Sequence, residues 1–340
     1  MFGFAASGER AGKRGIVLPF GRDFADGRLE QIGMILSVSR RTDIPCWYAE
    51  WFMNRIREGF VLTRNPMNRK LYKIELSPDT VDCIVFWTKD AVNMLPHIGE
   101  LDRRGYRYYF QFTLTPYGRD MEPGLREKTK IEETFVRLSE RIGKNGVVWR
   151  YDPIIVTEKY GVDFHRAEFL RMCAKLAPYT DTVTVSFVDT YPKLKHAAVR
   201  PVGKETVYEL SDYIGRTAAD FGLRAAACSE DPELGKFGIE SSSCIDPARI
   251  GLICGKEAEL RPDKNQRPGC KCAESVDIGA YNTCPNGCVY CYANSGTESA
   301  ARNCFFQDPK SLILGGKIGE NEVVTDRKLR SNLVRQKRLF

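Results

Sequence analysis

Short apolar runs that turn polar at one end alternate with stretches of helical spacing from Met34 to Cys228. Such a run suits a strand buried on both faces whose carboxyl end opens onto a site. The first begins at Met34 and turns polar before Pro45. The others run from Val81 to Trp87, Tyr106 to Thr113, Val147 to Asp152, Thr182 to Phe187 and Leu223 to Cys228. Helices are predicted between them over Trp47 to Arg57, Ala91 to Arg104, Lys130 to Ile142, Phe164 to Leu176 and Lys204 to Phe221, the first ending at Gly59. Residues 60–64 and 71–76 alternate in polarity and read as a hairpin excursion. This alternation predicts an α/β fold with a parallel sheet and right-handed crossovers. A full or partial TIM-like (β/α) barrel is the expected form, because polar residues recur where the strands end. They include Arg40, Arg41 and Asp43, then Lys89, then Arg150 and Asp152, then Ser186 and Asp189, then Ser229 and Glu230.

Past Cys228 the regular pattern thins and cysteines crowd together. Of twelve cysteines, nine fall between Cys228 and Cys304. Cys284, Cys288 and Cys291 lie within eight residues that include Pro285 and Gly287, so three thiolates can converge on one centre. A closed zinc site needs four protein ligands, and most iron–sulfur clusters also take four cysteines. Three leave one iron of a 4Fe-4S cluster open to an outside ligand. Cys270 and Cys272 form a second close pair, and with Cys228 and Cys244 they make four candidates for an auxiliary iron–sulfur cluster or a zinc ion. Cys254 and Cys304 are substitutes for either, while Cys46, Cys83 and Cys173 read as small buried hydrophobes. A zinc knuckle or a redox pair is the plainer alternative for the triad.

Twelve cysteines without a secretory leader pattern argue for metal chemistry in the cytoplasm rather than disulfides. No run is long and apolar enough for a membrane helix, so no membrane partner is expected. The net charge of +7 is a mild excess, part of it carried by Arg327, Lys328 and Arg330 and by Arg335, Lys337 and Arg338. A basic tail can meet nucleic acid, a partner that is not favoured on charge alone. The chain divides into an N-terminal extension (1–33), the strand–helix units (34–227), a cysteine-rich segment (228–304) and a basic C-terminal tail (305–340). Short elements are expected at Asp246, with Pro247 opening a helix, and over 275–278, a strand delivering the triad loop.

The triad spacing, with Tyr290 just before the third cysteine, resembles the signature of the radical S-adenosylmethionine (SAM) superfamily. That resemblance implies a 4Fe-4S cluster on Cys284, Cys288 and Cys291, with SAM on the open iron. An electron from a donor such as flavodoxin or ferredoxin would cleave SAM to a 5'-deoxyadenosyl radical, the cofactor carrying the hard chemistry. The stretches Ser37 to Pro45, Val147 to Pro153 and 263–294 together resemble a prokaryotic family known mainly as a domain of unknown function, related to radical SAM enzymes. The resemblance covers about 34–310. One departure stands out: the triad follows the strand–helix units instead of the first strand, which implies a circularly permuted order with 275–278 in the first strand's place. A small-molecule or otherwise unknown substrate would lie among Arg41, Asp43, Arg150 and Asp152, the catalytic candidates. The plainer alternative for these four is ion pairing that closes the barrel mouth. The competing reading of the whole chain is a zinc-binding, nucleic-acid-associated protein.

Overall fold

The computed structural model describes residues 34–188, 199–256, 262–267 and 269–327, all within the unit Gln31–Phe340. The extension 1–33, Asp189 and the basic residues after Arg327 lie outside them.

The first strand, β1 (Met34–Val38), is buried at every residue. After the short α1 (Ile44–Trp47) comes α2 (Ala49–Glu58), which ends at Gly59 in the left-handed region, φ 78°, with its N–H on the Arg55 carbonyl. The excursion is β2 (Phe60–Arg64) and β3 (Leu71–Glu75). The repeating units follow: β4 (Val81–Thr88), α3 (Ile98–Arg103), β5 (Tyr108–Thr113), α4 (Lys128–Ile142), β6 (Val147–Ile154), α5 (Val162–Leu176), β7 (Thr182–Phe187), α6 (Lys204–Asp220) and β8 (Arg224–Ala227). The cysteine-rich part holds β9 (Glu240–Ser241), α7 (Pro247–Cys254), β10 (Val276–Asp277) and α8 (Thr297–Phe305), and β11 (Val324–Asp326) comes last. The helix predicted from Ala91 is shorter than its pattern. Pro96 sits in a 3-10 turn over Leu95–His97, and regular α3 begins only after it.

Eight strands form one parallel sheet in the order β10-β1-β4-β5-β6-β7-β8-β9. The second sheet pairs β2 with β3 antiparallel and β3 with β11 parallel. Strand residues alternate between two faces. Leu36, Phe86, Phe110, Trp149 and Val185 pack in the main core with α2 to α6. Their neighbours Ile35, Val85, Tyr109 and Val148 turn the other way and meet Cys228, Cys244, Ile245, Ile250 and Cys272. Helices therefore cover one face, and the cysteine-bearing segment with α7 covers the other.

The closed form of the expected barrel does not occur among the described residues: β9 and β10 end the sheet and do not pair with each other. Closure needs a continuous ladder between first and last strands. Two-residue strands offer too few backbone groups for one, and the segment around Cys244 fills the inner face instead.

Candidate metal centres

The triad loop leaves the carboxyl end of β10, which runs parallel to β1 with Leu36 opposite Val276 and Ser37 opposite Asp277. Asp277 fastens the two together. It accepts hydrogen bonds from Ser37 Oγ at 2.9 Å, Ser39 Oγ at 2.7 Å, and the N–H groups of Arg40 and Gly279 at 2.8 and 2.9 Å. Arg41 donates to the Gly279 carbonyl at 3.2 Å and lies over the Tyr281 ring at 5.5 Å.

Within the loop, Cys291 N–H donates to the Cys288 carbonyl at 3.0 Å, closing a tight turn, and Gly287 takes φ +67°. Cys284 is buried, Cys288 and Cys291 partly so, and none forms a disulfide. Burial pushes the Cys284 thiol well up and the Cys288 thiol to about 12. The loop is seated by Asn286, whose Oδ1 accepts from Trp47 Nε1 at 2.7 Å and whose Nδ2 donates to Asp43 at 3.2 Å. Asp43 also caps α1 through Cys46 N–H at 3.1 Å and accepts Lys89 N–H at 2.7 Å. Burial lifts its carboxyl to about 6.

Behind Cys288 lies a buried charge cluster. Lys89 Nζ donates to Glu122 Oε1 at 2.7 Å and to the Tyr290 hydroxyl at 2.9 Å; Tyr290 and Lys128 both donate to Glu122, and Thr115 adds a bond at 3.0 Å. Burial raises the Glu122 carboxyl, but the Lys89 and Lys128 charges outweigh it and hold it at about 2. Gly124 donates to the Asn286 carbonyl at 2.9 Å, an approach that leaves no space for a Cβ.

The second centre lies on the sheet's inner face. The sulfurs of Cys228, Cys270 and Cys272 all lie within 4.8 Å of one another, a group that could hold a metal ion. Cys244 stands outside that group but close enough to interact with both Cys228 and Cys272. Its carbonyl accepts from Tyr109 Oη at 2.8 Å and Gln111 Nε2 at 2.7 Å, and its sulfur from Arg150 Nη1 at 2.9 Å. The neighbouring thiols of Cys228, Cys244 and Cys270 push the Cys272 thiol down. Arg150 also pairs with Asp152, which accepts from Ser186. Trp87 lies between two cations, Arg40 at 5.2 Å and Arg150 at 5.3 Å from its ring.

The four cysteines 228, 244, 270 and 272 thus meet, although their stretches are far apart in sequence. The triad sulfurs are not among the groups gathered within 4.8 Å. The four polar candidates do not form one cluster. Arg41 and Asp43 serve the triad loop, while Arg150 and Asp152 adjoin Cys244. Cys254 lies beside Cys83, and Cys304 beside Tyr48, whose hydroxyl donates to the Thr283 carbonyl next to Cys284. Glu122, Lys128, Asn286 and Asp277 escaped sequence reasoning. Glu122 and Asn286 stand in loops, Lys128 opens α4 two residues before the predicted helix start, and Asp277 lies in a two-residue strand within the predicted strand 275–278.

Among the described residues no helix is long and apolar enough to cross a membrane. No curated protein matches the chain. The model of a family described as a domain of unknown function (DUF1848) matches residues 35–293, most of the chain and both cysteine groups, so the protein belongs to that family.

Proposed function

We propose that this protein is a radical SAM enzyme in which Cys284, Cys288 and Cys291 hold a 4Fe-4S cluster with one iron open to SAM. One observation carries the reading: β10, the strand that delivers the triad, takes the sheet edge beside β1 in parallel sense. A loop leaving that strand opens at the same end of the sheet as the polar ends of β4, β6 and β7, as the permuted order requires. Helices α2 to α6 all pack on one face of the sheet, an arrangement that suits the wall of a partial barrel.

The donor set fits. A 4Fe-4S cluster held by three cysteines keeps one iron free. In a cubane each thiolate takes its own iron, so the sulfurs need not crowd as round a single ion. Bound there, the cluster supplies the electron that cleaves SAM to a 5'-deoxyadenosyl radical. The chain's own part is positioning. Lys89 and Lys128 place positive charge beside Cys288, which favours its thiolate. Asp43 and Asn286 fix the loop on β4's end. Substrate would meet the cluster at the carboxyl end of the sheet, where Asp152 follows β6's buried stretch, and an electron donor of the flavodoxin or ferredoxin kind would feed the cluster from outside.

The test is turnover. Anaerobically reconstituted protein, reduced with dithionite and given SAM, should release 5'-deoxyadenosine, and Cys288→Ala should release none. Colourless wild-type protein that yields no deoxyadenosine would sink the assignment.

A further inference from the structure

Three sulfurs, of Cys228, Cys270 and Cys272, lie within 4.8 Å of one another, and Cys244, outside that group, packs in the same cluster and interacts with Cys228 and Cys272. We propose that these four cysteines hold a single zinc ion in a closed, all-thiolate site, separate from the triad. The spacing argues for one ion. Zinc–thiolate bonds of about 2.3 Å place the sulfurs of a tetrahedron roughly 3.8 Å apart. A cubane spreads its four thiolates over four irons and holds them farther apart than one ion does. With four ligands from the chain, no position is open to water or substrate, which marks a structural zinc.

Charge supplies an independent argument. Arg150 donates to Cys244 Sγ at 2.9 Å while also pairing with Asp152, and Arg40 lies over the same Trp87 ring as Arg150. Arg40 Nη2 is buried with no hydrogen-bond partner among the described residues. A buried cation without a full set of partners needs an anion beside it. Four neutral thiols supply none. Four thiolates round a dication keep two net negative charges, which Arg40 and Arg150 meet.

The ion would join three separate stretches across the inner face and anchor the segment that leads into β10. Cys270 is the most accessible of the four ligands, so Cys270→Ser is the gentlest variant. Elemental analysis of protein purified anaerobically with both metals available should find one zinc per chain. Cys270→Ser should lose it while keeping the iron of the triad, and Cys288→Ala should keep the zinc. Zinc-edge X-ray absorption of the wild-type protein should show four sulfurs at about 2.3 Å, which guards against a variant that merely misfolds. Loss of iron from Cys270→Ser with no zinc present, or a zinc shell containing nitrogen or oxygen, would overturn the proposal. Neither outcome depends on SAM turnover, so this site and the triad stand or fall separately.

Discussion

Glu122 is the residue whose removal should be felt most. Its side chain is fully buried, and two lysines and Tyr290 converge on it. Glu122→Gln leaves Lys89 and Lys128 without their counter-charge, and breaking a buried pair from one side costs about 3–5 kcal/mol. The loss should appear as a lower denaturation midpoint at neutral pH. Its pH dependence has a definite sign. The carboxyl's ordinary value is 4.5 and the folded protein holds it at about 2. The stabilisation is therefore complete above 4.5 and vanishes as pH falls toward 2. Wild type and variant should converge in that window, and a constant gap across it would contradict the ion-pair account. At this scale the sequence was legible where spacing carries the chemistry: the close cysteines could be read as ligands because they are local. Glu122 meets Tyr290 168 positions away, and Asn286 meets Asp43 across 243. Contacts of that span leave no local pattern.

Among the elements, the triad loop depends on a backbone-to-backbone approach. A Cβ on Gly124 would stand 2.4 Å from the Pro285 carbonyl and 2.8 Å from that of Asn286. Neither oxygen can swing aside like a side chain. Gly124→Ala should push the loop off its seat, at a cost of about 1–3 kcal/mol for overpacking. Iron loading should fall more sharply than thermal stability, whereas equal loss of both would mean that the contact serves the whole core. The long elements followed from sequence because each strand or helix spans enough residues to show its period. β9 and β10 have two residues each, too few for any period, although a short strand was expected over 275–278; that the two do not pair with each other leaves the sheet open. The helix after β4 was overread because apolar spacing continues through Pro96, where the backbone cannot.

At the scale of the molecule, residues 309–326 return to cover α2 and the small sheet. Trp51 Nε1 donates to the Ser311 carbonyl at 2.8 Å, Arg55 to that of Lys310 at 3.1 Å, and Leu62 N–H to that of Leu312 at 2.9 Å. Arg64 pairs with Glu322, and β11 lies along β3. The family match stops at residue 293, yet Trp51 and Arg55 are almost wholly buried. A chain ended after residue 295 should therefore lose several kcal/mol, a large share of ordinary domain stability, and expose apolar surface to a dye such as ANS. A truncated chain that melts like the full one would show this cover to be dispensable. The union of β1 with β10 has a further consequence. Ser37 and Asp277 are 240 positions apart, so a ribosome releases β1 long before its edge partner exists. Domains made vectorially begin to fold before synthesis ends, yet the triad's seat is assembled only when β10 docks beside β1. If the triad holds the proposed cluster, its insertion must wait until β10 has docked on β1, so loading would report that this union has formed.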